Sequence, residues 1–278
     1  MHGLPTARET SLGEVVVKTL ALPRSVGSLT AVDRLSIQVF GGEVFGLLGP
    51  NGAGKTTTIK MLTTLLPLTS GTAEVAGFDI VRHPTEVRRA IGYIPQLISV
   101  DAQVTGYENL WVFSRLYRIP RDEREKRIRD ALEFMGLSAY ADVLVRNYSG
   151  GMIRRLEIAQ ALMHRPRVLF MDEPTVGLDP LARDTVWEQI DRVRTTYGTS
   201  VVLTTHYMEE ADQLCDRVGI LHRGKLQALD RPAALKASLG RPGATLEDVF
   251  VHYAGEENEL GGSYRETGRT RRAAVRLE

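Results

Sequence analysis

The chain has 278 residues, of which 43% are hydrophobic and 25% are charged, so it is long enough to bury the core of one large domain or two. Its 35 lysines and arginines nearly balance 34 acidic residues, and the formal charge of +1 excludes the bulk affinity for polyanions that nucleic-acid binders show. The single cysteine, Cys215, excludes an internal disulfide and fits a reducing compartment. No apolar run approaches the ~18 residues of a membrane span, so we expect a cytoplasmic protein that reaches a membrane only through a partner.

The first predicted elements are short apolar runs separated by glycine-containing turns. They fill residues 14 to 47 and predict antiparallel strands. The run at residues 44 to 48 is bounded by glycines, which is typical of a buried parallel strand. Ile59, Leu62 and Leu66 then recur at helical spacing. The residues between these elements therefore join a strand to a helix.

The joining loop, Gly49-Pro50-Asn51-Gly52-Ala53-Gly54-Lys55-Thr56, satisfies the phosphate-binding pattern of glycine, any four residues, and glycine-lysine-serine/threonine. Its glycines let the backbone curl so that successive N–H groups point at phosphate, and the helix N-terminus adds its positive dipole end. Lys55 supplies a charge for the β- and γ-phosphates, and the Thr56 hydroxyl can ligate Mg²⁺. The predicted nucleotide site therefore contains Gly49, Pro50, Asn51, Gly52, Ala53, Gly54, Lys55, Thr56 and Thr57.

Helical periodicity replaces the strand pattern from Val104 to about Met163. Thr105-Gly106-Tyr107-Glu108 has the pattern of a capping box, in which the hydroxyl and the carboxylate each meet an orphan backbone N–H. A later helix is predicted to open at Ser149-Gly150-Gly151, with Leu156 on its apolar stripe and Arg154-Arg155 on its polar side.

These patterns define the expected domain organisation. Residues 14–235 form the main domain, with a helical subdomain inserted at about residues 97–163. Residues 236–253 form a C-terminal extension. Residues 254–278 are rich in glycine, glutamate and arginine with few apolar side chains, and they predict a disordered tail.

Two acids, Asp172 and Glu173, follow the apolar strand at residues 168–171, and the carboxyl end of a parallel strand is where ligands bind. The first acid can order Mg²⁺ through its water shell, and the second can accept a proton from the attacking water. Gln96 and His206 also follow predicted strands, where the glutamine can complete metal coordination and the histidine can sense the γ-phosphate or orient water. We therefore expect Glu173 and His206 to be catalytic. The expected Mg²⁺ site consists of Thr56, Gln96 and Asp172.

The turn Ser149-Gly150-Gly151 forms a second candidate anion site, because a serine hydroxyl and bare backbone amides open a helix there. One protein rarely needs two such helix N-termini for one nucleotide. If this turn faces another subunit, the γ-phosphate is held between two chains, and bound ATP stabilises a dimer.

These motifs resemble those of the ATP-binding cassette (ABC) family. Gly49 to Thr56 is similar to its Walker A motif and Gln96 to its Q-loop. Tyr148-Ser149-Gly150-Gly151-Met152 resembles its signature motif, and residues 168–173 resemble its Walker B motif. Gly177-Leu178-Asp179 resembles its D-loop.

His206 resembles the switch histidine of the same family. The resemblance implies an α/β fold. The fold is a RecA-like P-loop NTPase core with an antiparallel β subdomain and an inserted α-helical subdomain. It further implies ATP and Mg²⁺ as cofactors, Asp179 as a residue of the nucleotide site, hydrolysis with Glu173 as general base, and a homodimer or heterodimer of ATPase subunits. The implied partner is a separate integral membrane permease, received at residues 98 to 107, and no nucleic acid is expected.

Within the family, Tyr148 to Leu156 resembles the ATP-binding subunits of daunorubicin-resistance type drug exporters, and Leu246 to Phe250 resembles a C-terminal element of that branch. Two residues depart from the family pattern. Met152 replaces the usual glutamine of the signature, and Val26 stands where an aromatic side chain usually stacks on adenine. The second departure removes ~1 kcal/mol of stacking and weakens the expected preference for adenine over guanine.

The function predicted from the sequence is therefore the ATP-hydrolysing subunit of an exporter on the inner face of the cell membrane. One alternative is a soluble ABC switch that acts on the ribosome or DNA, but those proteins carry two cassettes or long coiled coils. Another is a small-molecule kinase, which leaves Glu173 and Ser149-Gly150-Gly151 without a role.

Overall fold

The computed structural model describes residues 13–26 and 29–254. The strands are β1 (Val15–Leu20), β2 (Leu22–Val26), β3 (Leu29–Leu35), β4 (Gln38–Phe40), β5 (Val44–Leu48), β6 (Thr72–Val75), β7 (Phe78–Asp79), β8 (Ile91–Ile94), β9 (Val168–Asp172), β10 (Ser200–Thr205), β11 (Arg217–His222) and β12 (Lys225–Asp230). The helices are α1 (Lys55–Leu62), α2 (Pro84–Ala90), α3 (Gly106–Leu116), α4 (Arg121–Phe134), α5 (Gly150–Leu162), α6 (Pro180–Tyr197), α7 (Met208–Leu214), α8 (Pro232–Ala237) and α9 (Leu246–Ala254).

The central layer is a six-stranded sheet in the order β12-β11-β5-β10-β9-β8. The strands from β11 to β8 run parallel to their neighbours, and β12 closes one edge antiparallel to β11. Every residue of β5, β9 and β10 is buried, because helices or the second sheet cover both faces. The continuous apolar runs in the sequence therefore correspond to the centre of this sheet.

The register of this sheet decides where the site lies. Thr205 of β10 pairs with Leu48, the last residue of β5, and Thr204 pairs with Asp172, the last residue of β9. The carboxyl ends of the three central strands therefore lie level with one another, at the edge where α/β proteins bind ligands.

The predicted antiparallel strands are present at the N-terminal side. β4, β1, β6 and β7 form a four-stranded antiparallel sheet in that order, and β2 pairs with β3 as a separate ribbon. Val17, Leu35 and Val39 belong to a buried cluster that also includes Phe45 of the central sheet. This β subdomain thus packs on the core through shared apolar residues.

The helical region contains α3, α4, two short 3₁₀ turns and α5. Ile128, Leu132 and Met135 of the α4 region are buried, whereas most of its charged residues are exposed. Helix α5 packs against α3 and α4 and also against β8 and α6 of the core. It therefore belongs to both parts of the molecule.

One side-chain prediction in α5 is wrong. Arg154 was expected on the polar side of the helix, but it is buried, with 6% of its surface exposed. The structure provides an acidic partner, Glu157, one turn further along the same helix. A paired charge can be buried where an unpaired one cannot.

At the C-terminal side, α9 packs against α7, α8 and β11. The predicted disordered tail lies outside the described residues from 255 onward, and so does the side chain of Val26. Within the two described ranges, none of the helices has both the length and the apolar character that a bilayer crossing requires.

The predicted capping box at the start of α3 is confirmed, and it gives a stability test. The Glu108 N–H donates to Thr105 Oγ1 at 3.1 Å, and the Thr105 N–H donates to Glu108 Oε2 at 2.8 Å. Replacing Thr105 by alanine should lower the free energy of unfolding by about 1 kcal/mol, because an orphan helix N–H loses its acceptor. Urea denaturation measures this difference. Thr105→Ser keeps the hydroxyl and should restore most of it, and an unchanged midpoint for Thr105→Ala would contradict the role of the cap.

Candidate functional site

The phosphate loop joins β5 to α1, and two of its glycines are required by close approach to the backbone. A Cβ atom on Gly49 would lie 2.3 Å from Leu221 O, and one on Gly54 would lie 2.4 Å from Ala31 O. Gly54 also has a φ of +101° immediately before α1. Only glycine meets both demands at this position, so the sequence pattern reflects the geometry of the loop.

Lys55 lies under this loop with only 4% of its side chain exposed. Its Nζ donates to Gly49 O at 2.8 Å and to Pro50 O at 3.1 Å. The same atom lies 3.2 Å from Glu173 Oε1, whose side chain is 6% exposed. The predicted phosphate-binding lysine and the predicted general base therefore form a buried ion pair.

Asp172 ends β9 beside the start of α1. Its Oδ1 accepts a hydrogen bond from Thr56 Oγ1 at 3.0 Å and another from Thr204 Oγ1 at 2.6 Å. Thr56 and Asp172 thus present two oxygen atoms to one point, and hard oxygen ligands are those that Mg²⁺ prefers. Burial, together with the negative charge of Asp172, raises the pKa of the neighbouring Tyr93 to about 12.

Glu173 is held in an unusual backbone conformation. Its φ is +50°, which a residue with a side chain adopts at an energetic cost. Its N–H donates to Thr204 O at 3.1 Å and to Thr204 Oγ1 at 3.0 Å, and these bonds fix the turn. Gln96 Nε2 donates to Glu173 Oε2 at 3.3 Å, and His206 Nδ1 lies 3.3 Å from the same oxygen. The carboxylate of Glu173 therefore contacts three other residues predicted to act at the phosphates, namely Lys55, Gln96 and His206.

A cavity of about 800 Å³ opens above the phosphate loop. Seven of the nine residues predicted for the loop line this cavity. The lining residues are Thr30, Ala31, Asn51, Gly52, Ala53, Gly54, Lys55, Thr56, Thr57, Gln96, Glu173 and Arg223. Thr30, Ala31 and Arg223 were not predicted, and they come from two hairpins that no phosphate-loop pattern includes.

The second candidate anion site lies elsewhere in the chain. Ser149 and the two glycines after it do not line the cavity above the phosphate loop. Ser149 is exposed and caps α5, its Oγ accepting from Met152 N at 3.2 Å. A Cβ on Gly151 would lie 2.9 Å from the Cβ of Ala182 in α6. Asp179 caps α6 by accepting from Ala182 N at 2.9 Å, so the signature turn and the D-loop pack together.

Sequence reasoning missed two residues that organise the site. Thr204 holds both acids of the β9 end, and it is fully buried. Glu210 of α7 accepts from Thr175 Oγ1 at 2.7 Å and from Trp187 Nε1 at 3.0 Å, and so ties the segment after Glu173 to α6 and α7. Polar side chains at the carboxyl ends of buried strands were the available signal for Thr204.

Comparison with known proteins agrees with this geometry. The family model described as "ABC transporter" matches residues 32–176. The daunorubicin/doxorubicin resistance ATP-binding protein DrrA of Streptomyces peucetius is 45% identical over 224 residues, which cover 81% of this chain and 68% of that protein. The Nod factor export ATP-binding protein I of Sinorhizobium fredii is 40% identical over 255 residues, 90% of this chain and 71% of that protein. A solved structure titled "Structure of ATP binding subunit of ABC transporter" aligns with a TM-score of 0.77 and 28% identity over 86% of this chain and 100% of that chain.

The chain therefore belongs to the ABC transporter family. Its fold is the RecA-like P-loop NTPase core that the motifs predicted, and it is an ATP-binding subunit with ATPase activity. These relatives do not favour the alternative of a soluble switch that acts on the ribosome or DNA.

Thr204 provides a test of the site's internal support. Thr204→Val keeps the shape of the side chain but removes the hydroxyl that Asp172 and the Glu173 N–H share. We expect the free energy of unfolding to fall by about 1–3 kcal/mol, because buried polar groups lose a partner, and we expect ATP hydrolysis to slow. Urea denaturation and phosphate release measure the two effects. Thr204→Ser retains the hydroxyl and should behave like the parent chain; equal losses in both variants would contradict this role.

Proposed function

We propose that this chain is the ATP-hydrolysing subunit of an exporter. In this exporter two ATPase subunits close on ATP and drive a separate membrane permease. The observation that carries the proposal is the convergence of Lys55, Gln96, Glu173 and His206 at one edge of the sheet. Nucleotide binding alone does not require a buried carboxylate such as Glu173 beside the phosphate-binding lysine, whereas hydrolysis requires a general base there.

The proposed chemistry assigns a task to each group. Backbone N–H groups of the loop and the Lys55 ammonium bind the β- and γ-phosphates. Thr56, Asp172 and Gln96 would hold Mg²⁺, which neutralises charge on the phosphate oxygens. Glu173 accepts a proton from the attacking water, and His206 orients that water or the γ-phosphate.

The ion pair between Lys55 and Glu173 connects binding to catalysis. Lys55 Nζ lies 3.2 Å from Glu173 Oε1, so the ammonium that would bind a triphosphate also contacts the carboxylate of the proposed base. A triphosphate that draws the ammonium toward its own oxygens would leave this Glu173 oxygen free to face the attacking water.

The proposed dimer follows from the separation of the two anion sites. Ser149 and Asp179 are both exposed, and a Cβ on Gly150, the residue after Ser149, would lie 3.3 Å from Leu178 Cδ2. A second subunit that presents these residues to the phosphate loop would complete the site over the γ-phosphate. The similar solved structure is titled as the ATP-binding subunit of an ABC transporter, and this supports a role for the present chain as one subunit of a larger assembly.

Export and cargo are inferred from the relatives. The protein of Sinorhizobium fredii is named for Nod factor export and that of Streptomyces peucetius for daunorubicin and doxorubicin resistance. We propose that this chain also serves export, with drugs or antibiotics as the cargo class, and that the permease holds it at the inner face of the cell membrane.

The proposed permease contact is the segment from Ile98 to Tyr107. Leu97 and Ile98 are 81% and 64% exposed, and Trp111 and Val112 of α3 are 41% and 46% exposed. Large apolar side chains grouped on a surface are typical of protein interaction sites. Leu97 and Ile98 lie directly after Gln96 in the chain, so a bound permease helix would contact the segment that reaches Glu173.

Glu173→Gln tests the proposed mechanism. The amide keeps the size of the side chain but cannot accept a proton, so ATP binding should persist while kcat falls by about 10²–10⁴-fold. The variant saturated with MgATP should also form a stable dimer, because the closed state is no longer resolved by hydrolysis. Phosphate release and light scattering measure these two results.

The matched control is Lys55→Ala, which removes the phosphate-binding charge and should abolish both nucleotide binding and the dimer. Parent-like turnover in Glu173→Gln would remove this residue from the role of base. A strictly monomeric Glu173→Gln in MgATP would contradict the shared site.

Ile98→Glu tests the permease contact. A charge in the apolar patch should reduce the amount of integral membrane protein that copurifies with the tagged chain from detergent-solubilised membranes, while ATP binding stays unchanged. Val81→Glu is the control, because Val81 is equally exposed, at 65%, but lies between β7 and α2. Equal copurification with both variants would refute this surface.

A further inference from the structure

A second buried ion pair lies outside the residues assigned to nucleotide chemistry. Arg154 NH1 is 2.9 Å from Glu157 Oε2 on α5, and the side chains are 7% and 1% exposed. Two charges removed from water are costly unless their remaining hydrogen-bonding atoms are also satisfied. The groups that satisfy them therefore indicate what the pair is for.

Those groups belong to the segment that follows β8. Arg154 donates to Pro95 O at 3.1 Å and to Gln96 O at 3.4 Å. Glu157 Oε1 accepts from the Ser99 N–H at 2.6 Å and from Ser99 Oγ at 2.8 Å. One ion pair on α5 thus binds both ends of residues 95–99 through main-chain atoms.

The same segment carries Gln96, whose side chain donates to Glu173 Oε2. The N-terminal end of α5 carries the signature turn, with Ser149 as its N-cap. Ser149 precedes Arg154 by five residues, so the two lie only about 7.5 Å apart along the helix axis. The helix is also seated tightly on the core, because a Cβ on Gly92 of β8 would lie 2.8 Å from Ala161 O. A continuous set of contacts therefore runs from the signature turn to the acid at the reaction centre.

We propose that Arg154 and Glu157 are positioning residues for hydrolysis, which fix Gln96 relative to the signature helix so that closure at Ser149 sets the placement of Glu173. The proposal rests on the function proposed above, in which Gln96 and Glu173 act on the nucleotide. Within the part of the chain that the structure describes, no hydrogen bond or ion pair joins Arg154 or Glu157 to the phosphate loop, so their effect passes through Gln96.

Planar geometry favours arginine at this position. A guanidinium presents several N–H donors in a rigid fork, and Arg154 uses it on two carbonyl groups and a carboxylate. A lysine ammonium would keep the charge beside Glu157 but would not span all three acceptors. The pair therefore has a geometric requirement as well as an electrostatic one.

The neighbouring Arg155 is a matched control. It lies on the same helix and donates through NH1 to Met135 O at 2.9 Å, within the helical region. Burial lowers its pKa as it lowers that of Arg154, so the two side chains share a desolvated setting. Arg155 has no hydrogen bond to residues 95–99 among those recorded for it.

The experiment compares ATP hydrolysis by the full chain carrying Glu157→Gln, Gln96→Ala or both. We expect Glu157→Gln to lower kcat by about tenfold while the KM for ATP changes by less than about twofold. The double variant should be no slower than Gln96→Ala alone, because the first change acts only through Gln96. Arg154→Lys keeps the buried charge pair and should also lower kcat. This second variant provides the same test if Glu157→Gln does not fold. Arg155→Gln should leave kcat at the parent value.

Several results would overturn the proposal. They are parent kcat in both Glu157→Gln and Arg154→Lys, a double variant whose loss is the product of the two single losses, or an equal loss in Arg155→Gln. Failure of the underlying function is distinguishable, because it would appear as a parent chain without ATP hydrolysis or as Gln96→Ala with unchanged kcat.

Discussion

The buried contact between Lys55 and Glu173 is the interaction on which the site depends. Burial of two opposite charges is tolerated only where each is fully paired, and Lys55 meets this demand by donating to two carbonyl groups and facing one carboxylate oxygen. The other oxygen of Glu173 faces Gln96 and His206. The segments that follow β5, β8 and β10 therefore each contribute a group that contacts this one pair of charges.

The register of the parallel sheet makes this convergence possible. β5, β10 and β9 end level with one another, so the loop after the first, Thr204 near the end of the second and Asp172 at the end of the third share one edge. A slip of one residue in either pairing would turn Asp172 or Thr204 to the opposite face. Packing against the faces of the sheet therefore helps to position the site residues, because it holds the strands in this register.

The sequence predicted the parts of the site that depend on local pattern. The phosphate loop, the acids after β9 and the capping box are each specified by residues close together in the chain, and each lies where it was expected. Thr204 was not predicted, because threonine is also an ordinary residue in a strand. Arg154 was assigned to the wrong surface, because the carbonyl groups it binds, those of Pro95 and Gln96, are nearly 60 residues away and helical periodicity carries no information about them.

The ion pairs of the molecule differ in how deeply they are buried. The ion pair between Arg127 and Glu123 on α4 is substantially exposed, and pairs of that kind contribute little to stability. The pairs Lys55–Glu173 and Arg154–Glu157 are both enclosed, and they lie on either side of Gln96. Apolar residues of similar volume would stabilise a core as well or better, so stability alone does not account for charge in these two places. Both pairs bind Gln96. Glu173 of the first pair accepts a hydrogen bond from the Gln96 side chain, and Arg154 of the second donates to the Gln96 main-chain carbonyl.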